Sequence, residues 1–369
     1  MKLQGLMKAN RNRPPEEESC DIEYALSKAK INRSATMDNF YPAHKNFVSI
    51  GGNNWTFEVT KKCLDLQFTI FNRSMEERRQ IIPVCRTSEV YFETKFNFHQ
   101  PLPEFGFPSQ CLQRALQKLC RDGFLVPNVL HYIWFGKRHF DFVHFISFYS
   151  GYKKQKPCLI FLFADVLPYG HWWNYLLVLV PNIMYIKVNQ PTEIAGKRIK
   201  YVQHAADIFR IWILKEYGGI YVDTDEILLR SLDDFRDSSY TMGLAHDGSV
   251  GSALIMAVKN APFLSKWNES YRSFHPNEWG NNSVLMARTL ATKYPKLINL
   301  QDHHCVFFPH GNLLYDSNYK WSHSYAIHVY HQDRMDILNQ YDGTTIQTLN
   351  NTLGAVGRYI LYDDKELCA

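Results

Sequence analysis

Asp223 and Asp225 stand one residue apart at the end of a short apolar run, Gly218-Gly219-Ile220-Tyr221-Val222. In a strand, residues i and i+2 point to the same side, so this spacing predicts two carboxylates converging on one point. Like charges at the end of a buried strand repel unless a cation or a proton neutralises them. Hard carboxylate oxygens suit Mg²⁺ or Mn²⁺, and such ions usually also hold substrate phosphates. The pattern therefore reads as a metal-diphosphate site.

A second set of polar residues precedes it. The stretch from His204 to Leu214 is apolar on nearly every side except at His204, Asp207 and Arg210, which follow at i, i+3 and i+6 and form one helical stripe. Burying a charge is costly unless it is paired or used. Two readings stand side by side: a structural Asp–Arg pair, or Asp207 accepting sugar or ribose hydroxyls while Arg210 orients it or meets phosphate. Gly218-Gly219 ends this helix and permits positive φ and the close approach of another group. Asp233 and Asp234 read as a turn, Glu216 as the exposed end of the helix, and Glu226 as a supporting carboxylate beside the site.

The elements that must position these groups follow from periodicity. After Pro127, buried strand-like runs at 129–135, 159–163, 183–188 and 220–222 alternate with helical stretches at 140–153, 172–180 and 202–216. Continuous apolar strands separated by helices predict an α/β fold, a mostly parallel sheet covered on both faces. In open sheets of this kind ligands bind beyond the carboxyl ends of strands, where Asp223 and Asp225 fall. Residues 1–45 read as a polar stem or linker and 46–125 as a β-rich N-terminal extension, with runs such as 55–60 and 66–70. Residues 126–369 form the α/β unit.

Composition narrows the class. In 369 residues, 46% hydrophobic and 15% aromatic content exclude global disorder. A net charge of +5 with no clustered Lys/Arg run argues against a nucleic-acid partner. Eight cysteines contain no CxxC pair, which disfavours a structural zinc site and leaves disulfides open. Six N-x-S/T acceptors, at Asn32, Asn54, Asn72, Asn268, Asn281 and Asn350, point to a secretory lumen. Neither a signal peptide nor an apolar run of roughly 20 residues is visible, so attachment to a membrane is expected only through an anchor outside this chain.

Taken together, Ala206-Asp207-x-x-Arg210 and Tyr217-Gly218-Gly219-Ile220-Tyr221-x-Asp223-x-Asp225 closely resemble the glycosyltransferase sugar-binding region containing the DXD motif. That family includes α-1,4-galactosyltransferases, α-1,4-N-acetylglucosaminyltransferases and initiating α-1,6-mannosyltransferases. Pro127 to Gly136 looks like its first strand, and the likeness spans residues 126–335. It implies a GT-A (Rossmann-like) fold, Mn²⁺ with Mg²⁺ as the alternative, a nucleotide-sugar donor, UDP-sugar before GDP-mannose, and retention of anomeric configuration. Asp225 would bind the metal bridging the donor diphosphate, and Asp223 its water shell or the ribose; both are the candidate catalytic residues. Asp207 and Arg210 would hold donor hydroxyls, and Gly219 is placed with the donor-binding residues. Trp134 would lie against the nucleotide base, with a core Trp beside the strand end as the plainer reading. Asn281-Asn282-Ser283 falls where relatives carry donor- or acceptor-facing residues, with a helix N-cap as the plainer reading of Ser283. His328 matches the His of a His-x-Trp found near the metal in relatives, although Tyr330 replaces the Trp and Ala206 a common Ser. The expected partners are a glycan or glycolipid acceptor, and the expected compartment is the Golgi lumen.

Two rivals remain. A haloacid-dehalogenase-type phosphatase also ends a strand in D-x-D, but Glu226-Ile227-Leu228 does not continue its pattern. A non-catalytic nucleotide-sugar or glycan-binding protein could keep the fold, though it would be free to lose Asp207, Arg210, Asp223 and Asp225.

Overall fold

The computed structural model describes residues 48–49, 104–120, 122–180, 182–315, 321, 324–343, 345–347, 349, 351–362 and 365–366. The stem over 1–45 and the β-like runs at 55–60 and 66–70 lie outside the described residues.

Ten strands are used below: β1 (Glu104–Phe105), β2 (Val129–Trp134), β3 (Leu159–Ala164), β4 (Ile183–Lys187), β5 (Gly219–Val222), β6 (Glu226–Leu228), β7 (Tyr240–Leu244), β8 (Val250–Ala257), β9 (Asn299–Gln301) and β10 (Ala326–His328). The helices used below are α1 (Gln110–Leu119), α2 (Phe142–Ser150), α3 (His171–Leu179), α4 (Val202–Tyr217), α5 (Pro262–Ser270), α6 (Met286–Lys293) and α7 (Thr352–Tyr362).

Eight strands form one sheet in the order β9-β7-β8-β5-β2-β3-β4-β1. All run parallel except β8, which is antiparallel to both of its neighbours. The expected mostly parallel α/β sheet is what the chain builds. β1 and α1, from the segment 46–125, pack with it: β1 pairs with β4, and Leu112 and Leu116 of α1 join the core.

Alternation along the strands makes two cores. Leu130, Tyr132 and Trp134 of β2 face α2, α3 and α7, whereas Val129 and Ile133 face α1, α4, α5 and α6. Every residue of β2 and β3 is buried, because a parallel strand covered on both faces has no wet side. α2 starts at Asp141, whose carboxylate accepts from His144 N at 3.1 Å while His144 Nδ1 accepts from Asp141 N at 3.2 Å. This reciprocal cap settles two otherwise unpaired helix-end donors.

α4 ends at Gly218, with φ at +66°. Gly219 follows at φ +104°, and a Cβ there would stand 2.5 Å from Val129 Cγ1 and 2.9 Å from Val129 O. The group that closely approaches Gly219 is thus the neighbouring strand β2, and this glycine lets β5 enter the sheet. His131 Nε2 meets Gly218 O at 2.6 Å, so that nitrogen carries the proton. Burial pushes the His131 pKa down to about 4, and the ring is a neutral clamp on the helix-to-strand turn.

No helix among the described residues is long and apolar enough to cross a membrane. Among the described residues, a disulfide joins Cys120, just after α1, to Cys158, just before β3, and Cys305 is also disulfide-bonded.

Candidate active site

The carboxyl edge of the sheet carries the site. β5 stops at Val222, and Asp223, Thr224 and Asp225 form a turn closed by Glu226 N donating to Asp223 O at 3.0 Å. The two aspartates therefore converge through a turn rather than through strand alternation. β6 then leaves the turn and pairs antiparallel with β10, setting His328 opposite Glu226. That register places His328 Nε2 3.2 Å from Asp225 Oδ1, and His331 N donates to Asp225 Oδ2 at 2.9 Å.

Ligand atoms of Asp223, Asp225 and His328 lie within 4.8 Å of one another. Two carboxylates and an imidazole fit Mn²⁺ well; Mg²⁺ prefers oxygen throughout. Burial would raise the Asp225 carboxyl, but the His328 charge and hydrogen bond, with the His331 amide, hold it well below the usual carboxylate range. Burial would likewise lower His328, yet the Asp225 charge raises it to about 9. Asp225 and His328 are thus an ion pair at neutral pH, and a cation taking both would displace a proton.

Arg210 links this turn to α4. Its guanidinium lies 3.1 Å from Asp207 Oδ1 and 3.5 Å from Asp223 Oδ1, and donates to Ser252 O at 2.6 Å and Oγ at 2.8 Å. Tyr221 supplies a ring 4.6 Å beneath it and donates its hydroxyl to Asp223. Burial alone would lower the Arg210 pKa, but the Asp223, Tyr221 and Asp207 charges hold it above its ordinary value. The Asp207–Arg210 pair of the structural reading is formed, and the same guanidinium reaches Asp223. His204 turns away, its ring edge-on to Tyr201 at 5.3 Å and Phe274 at 5.2 Å.

Burial pushes the Asp207 carboxyl up to about 6 against the lowering effect of Arg210, and Ser283 faces it closely enough to lower it further. Ser283 lies in a π-turn, Asn281–Leu285, whose capping residue is Gly280 without a side-chain bond. The N-cap reading therefore fails for Ser283, and its side chain belongs beside Asp207.

Trp134 is wholly buried, with the Arg138 guanidinium 4.4 Å from its ring centroid and the His144 ring 4.9 Å away, edge-on. A base would reach it only where Arg138 gives way. Glu226 does sit beside the site, wholly buried, with neither carboxylate oxygen hydrogen-bonded. Burial pushes its carboxyl well above the usual range.

Several supporting residues escape a reading of the sequence. Asp141 lies between His144 Nδ1 at 2.7 Å and His331 Nε2 at 2.9 Å, tying the start of α2 to the segment after β10. Ser147 Oγ is 2.7 Å from Glu226 O and 3.2 Å from Asp223 O, so α2 holds the turn from below. The i, i+3 spacing of His144, Ser147 and Ser150 in an otherwise apolar helix was the available signal.

The chain is 27% identical to "Glucan organizing enzyme 1" of Cryptococcus neoformans var. grubii over 264 residues, covering 64% of this chain and 71% of that protein. It is 29% identical to an uncharacterized protein of Arabidopsis thaliana over 105 residues, which cover 26% of this chain and 16% of that protein. Among solved structures, the PaToxG glycosyltransferase shares 18% identity and a TM-score of 0.34, covering 46% of this chain and 70% of that one. Mouse xyloside xylosyltransferase 1 shares 9% identity and a TM-score of 0.33, covering 48% and 85%. Residues 137–242, which hold Asp207, Arg210, Asp223 and Asp225, match the family described as the glycosyltransferase sugar-binding region containing DXD motif, and this chain carries that region.

Proposed function

We propose that the chain is a Mn²⁺-dependent retaining glycosyltransferase of the GT-A type, moving a hexosyl or N-acetylhexosaminyl group from a UDP-sugar to a hydroxyl of a glycan or glycolipid. The observation that carries the proposal is the convergence of Asp223, Asp225 and His328 at the carboxyl edge of the sheet, joined through Arg210 to the Asp207–Ser283 pocket. In this reading Asp225, Asp223 and His328 hold the ion. When bound, the ion supplies Lewis-acid stabilisation of the departing diphosphate.

The chain's own residues do the rest. Asp207, as a carboxylate, accepts donor-sugar hydroxyls and fixes the anomeric carbon in place. Arg210 keeps its charge and orients Asp207 and Asp223 together. Arg138 lies over the Trp134 ring, where burial and the Asp141, Asp165 and Asp225 charges act on it, and would turn to meet a donor phosphate. No covalent nucleophile is required where the leaving phosphate takes the acceptor proton on the same face. The Cys120–Cys158 disulfide and the sequon at Asn268 support a Golgi-type lumen as the place of work.

The test is donor hydrolysis across UDP- and GDP-sugars with Mn²⁺, alongside calorimetry of UDP. Cleavage of one donor, lost in Asp225→Asn, supports the proposal and names the sugar. Mn²⁺-dependent binding of neither UDP nor GDP, with no donor cleaved, would sink it.

A further inference from the structure

We propose that Trp279 is the acceptor platform of this enzyme, an exposed indole on which a sugar ring of the acceptor glycan stacks beside the donor pocket; this rests on the transferase reading above. Trp279 is 64% exposed, whereas Trp134, Trp172, Trp173, Trp267 and Trp321 are buried. An exposed indole on a held loop keeps its stacking face open to an occupant without an ordering cost.

The loop is held rather than loose. Asn282 Oδ1 accepts from His275 N at 2.9 Å, its Nδ2 donates to His275 O at 2.9 Å, and Trp267 Nε1 donates to Asn282 O at 3.3 Å. The segment 275–282 is therefore closed at its base, with Trp279 near its tip. The next residue, Ser283, points inward to Asp207. One short segment thus presents Trp279 outward and a donor-pocket residue inward, which puts the platform next to the position of the transferred sugar.

The surroundings suit a carbohydrate. Stacking takes the C–H face of a pyranose ring, and its hydroxyls need polar partners at the rim. Glu278 and Asn281 flank the indole and bond each other at 2.5 Å. The acidic side chain at the tip is the wrong sign for an anionic lipid surface, which recruits Lys and Arg.

The experiment uses the full chain on an array of defined glycans with UDP and Mn²⁺ present, comparing wild type, Trp279→Ala and Trp279→Phe, with UDP affinity measured by calorimetry. Wild type is expected to bind a subset of glycans. Trp279→Ala should weaken that binding by at least about tenfold, as truncating an aromatic anchor does, with Trp279→Phe between. UDP affinity should not change. Glycan binding that ignores Trp279→Ala, or is absent from wild type that binds UDP, overturns this inference alone. So does Trp279-dependent binding of phosphatidylserine vesicles in place of glycans. Wild type that binds neither UDP nor any donor overturns the transferase reading, and this inference with it.

Discussion

His328 Nε2 and Asp225 Oδ1 meet at 3.2 Å although 103 residues separate them. The three-residue pairing of β6 with β10 makes that contact and keeps the imidazole and the carboxylate on one side of the turn. It also decides what the site is without a metal: a closed ion pair, in which a cation taking both side chains must displace the His328 proton.

Asp225→Asn tests the centre of this arrangement. Asparagine keeps the size of the side chain and an oxygen able to accept from His331 N, so the fold should persist. Loss of a charged ligand should lower Mn²⁺-dependent donor turnover by at least about 100-fold. The melting temperature should stay within about 2 °C of wild type, on the order of 1 kcal/mol for a chain of this size. Steady-state turnover and a thermal melt on the same preparation check both. Unchanged turnover would remove Asp225 from the chemistry.

Ser147→Ala tests the support beneath the turn. One hydroxyl serves Asp223 O and Glu226 O, and without it α2 no longer fixes the backbone between them. Supporting partners of this kind are worth about 10–100-fold in metal affinity. The stability cost of the lost bond should be only about 1 kcal/mol. Calorimetric Mn²⁺ titration of the two proteins separates these, because a purely structural serine would move the melt and leave metal affinity alone.

Much of this was legible in the sequence, for physical reasons that differ by residue. β2 and β3 are unbroken apolar runs because both faces are covered, and such runs advertise themselves. The Asp207–Arg210 pair was legible because two charges at i and i+3 are conspicuous in an apolar helix. β8 was harder to see: Val250–Ala257 contains Gly251 and Ser252, and Gly251 is small because a Cβ would stand 2.3 Å from Phe308. Asp141, His144 and His331 each read locally as a cap or a loop residue. Only the closure of β10 onto β6 brings them together, and no local period records that. The indole of Trp134 shows the converse, since its sequence context fits both an open face and the covered one it has.

The disulfide lends itself to a stability test. Cys120 and Cys158 close a loop with a sequence separation of 38. The chain-entropy argument gives about 4 kcal/mol for a loop of that size. The double substitution Cys120→Ala, Cys158→Ala should therefore lower the denaturation midpoint by a corresponding amount while leaving the site residues untouched. Chemical denaturation of both proteins measures it. A loss below about 1 kcal/mol would mean the entropic account does not apply here.

Asp207 predicts a pH dependence that a sugar-free reference should not share. Burial holds its carboxyl near a pKa of about 6, so it is ionised above that pH and protonated below. Only the carboxylate accepts two sugar hydroxyls at full strength. Affinity for a UDP-sugar should therefore be full at pH 7.5 and fall as the pH drops through about 6. The methyl ester of UDP lacks both the sugar and the terminal phosphate ionisation that free UDP has at about pH 6, so it serves as the reference for any pH effect arising at His328 and the metal. The ratio of the two dissociation constants isolates Asp207. Calorimetry from pH 5 to 8 should show that ratio collapsing on the acid side in wild type and staying flat in Asp207→Asn, which cannot titrate. A flat ratio in wild type would place the donor sugar away from Asp207 and leave the Asp207–Arg210 pair a purely structural one.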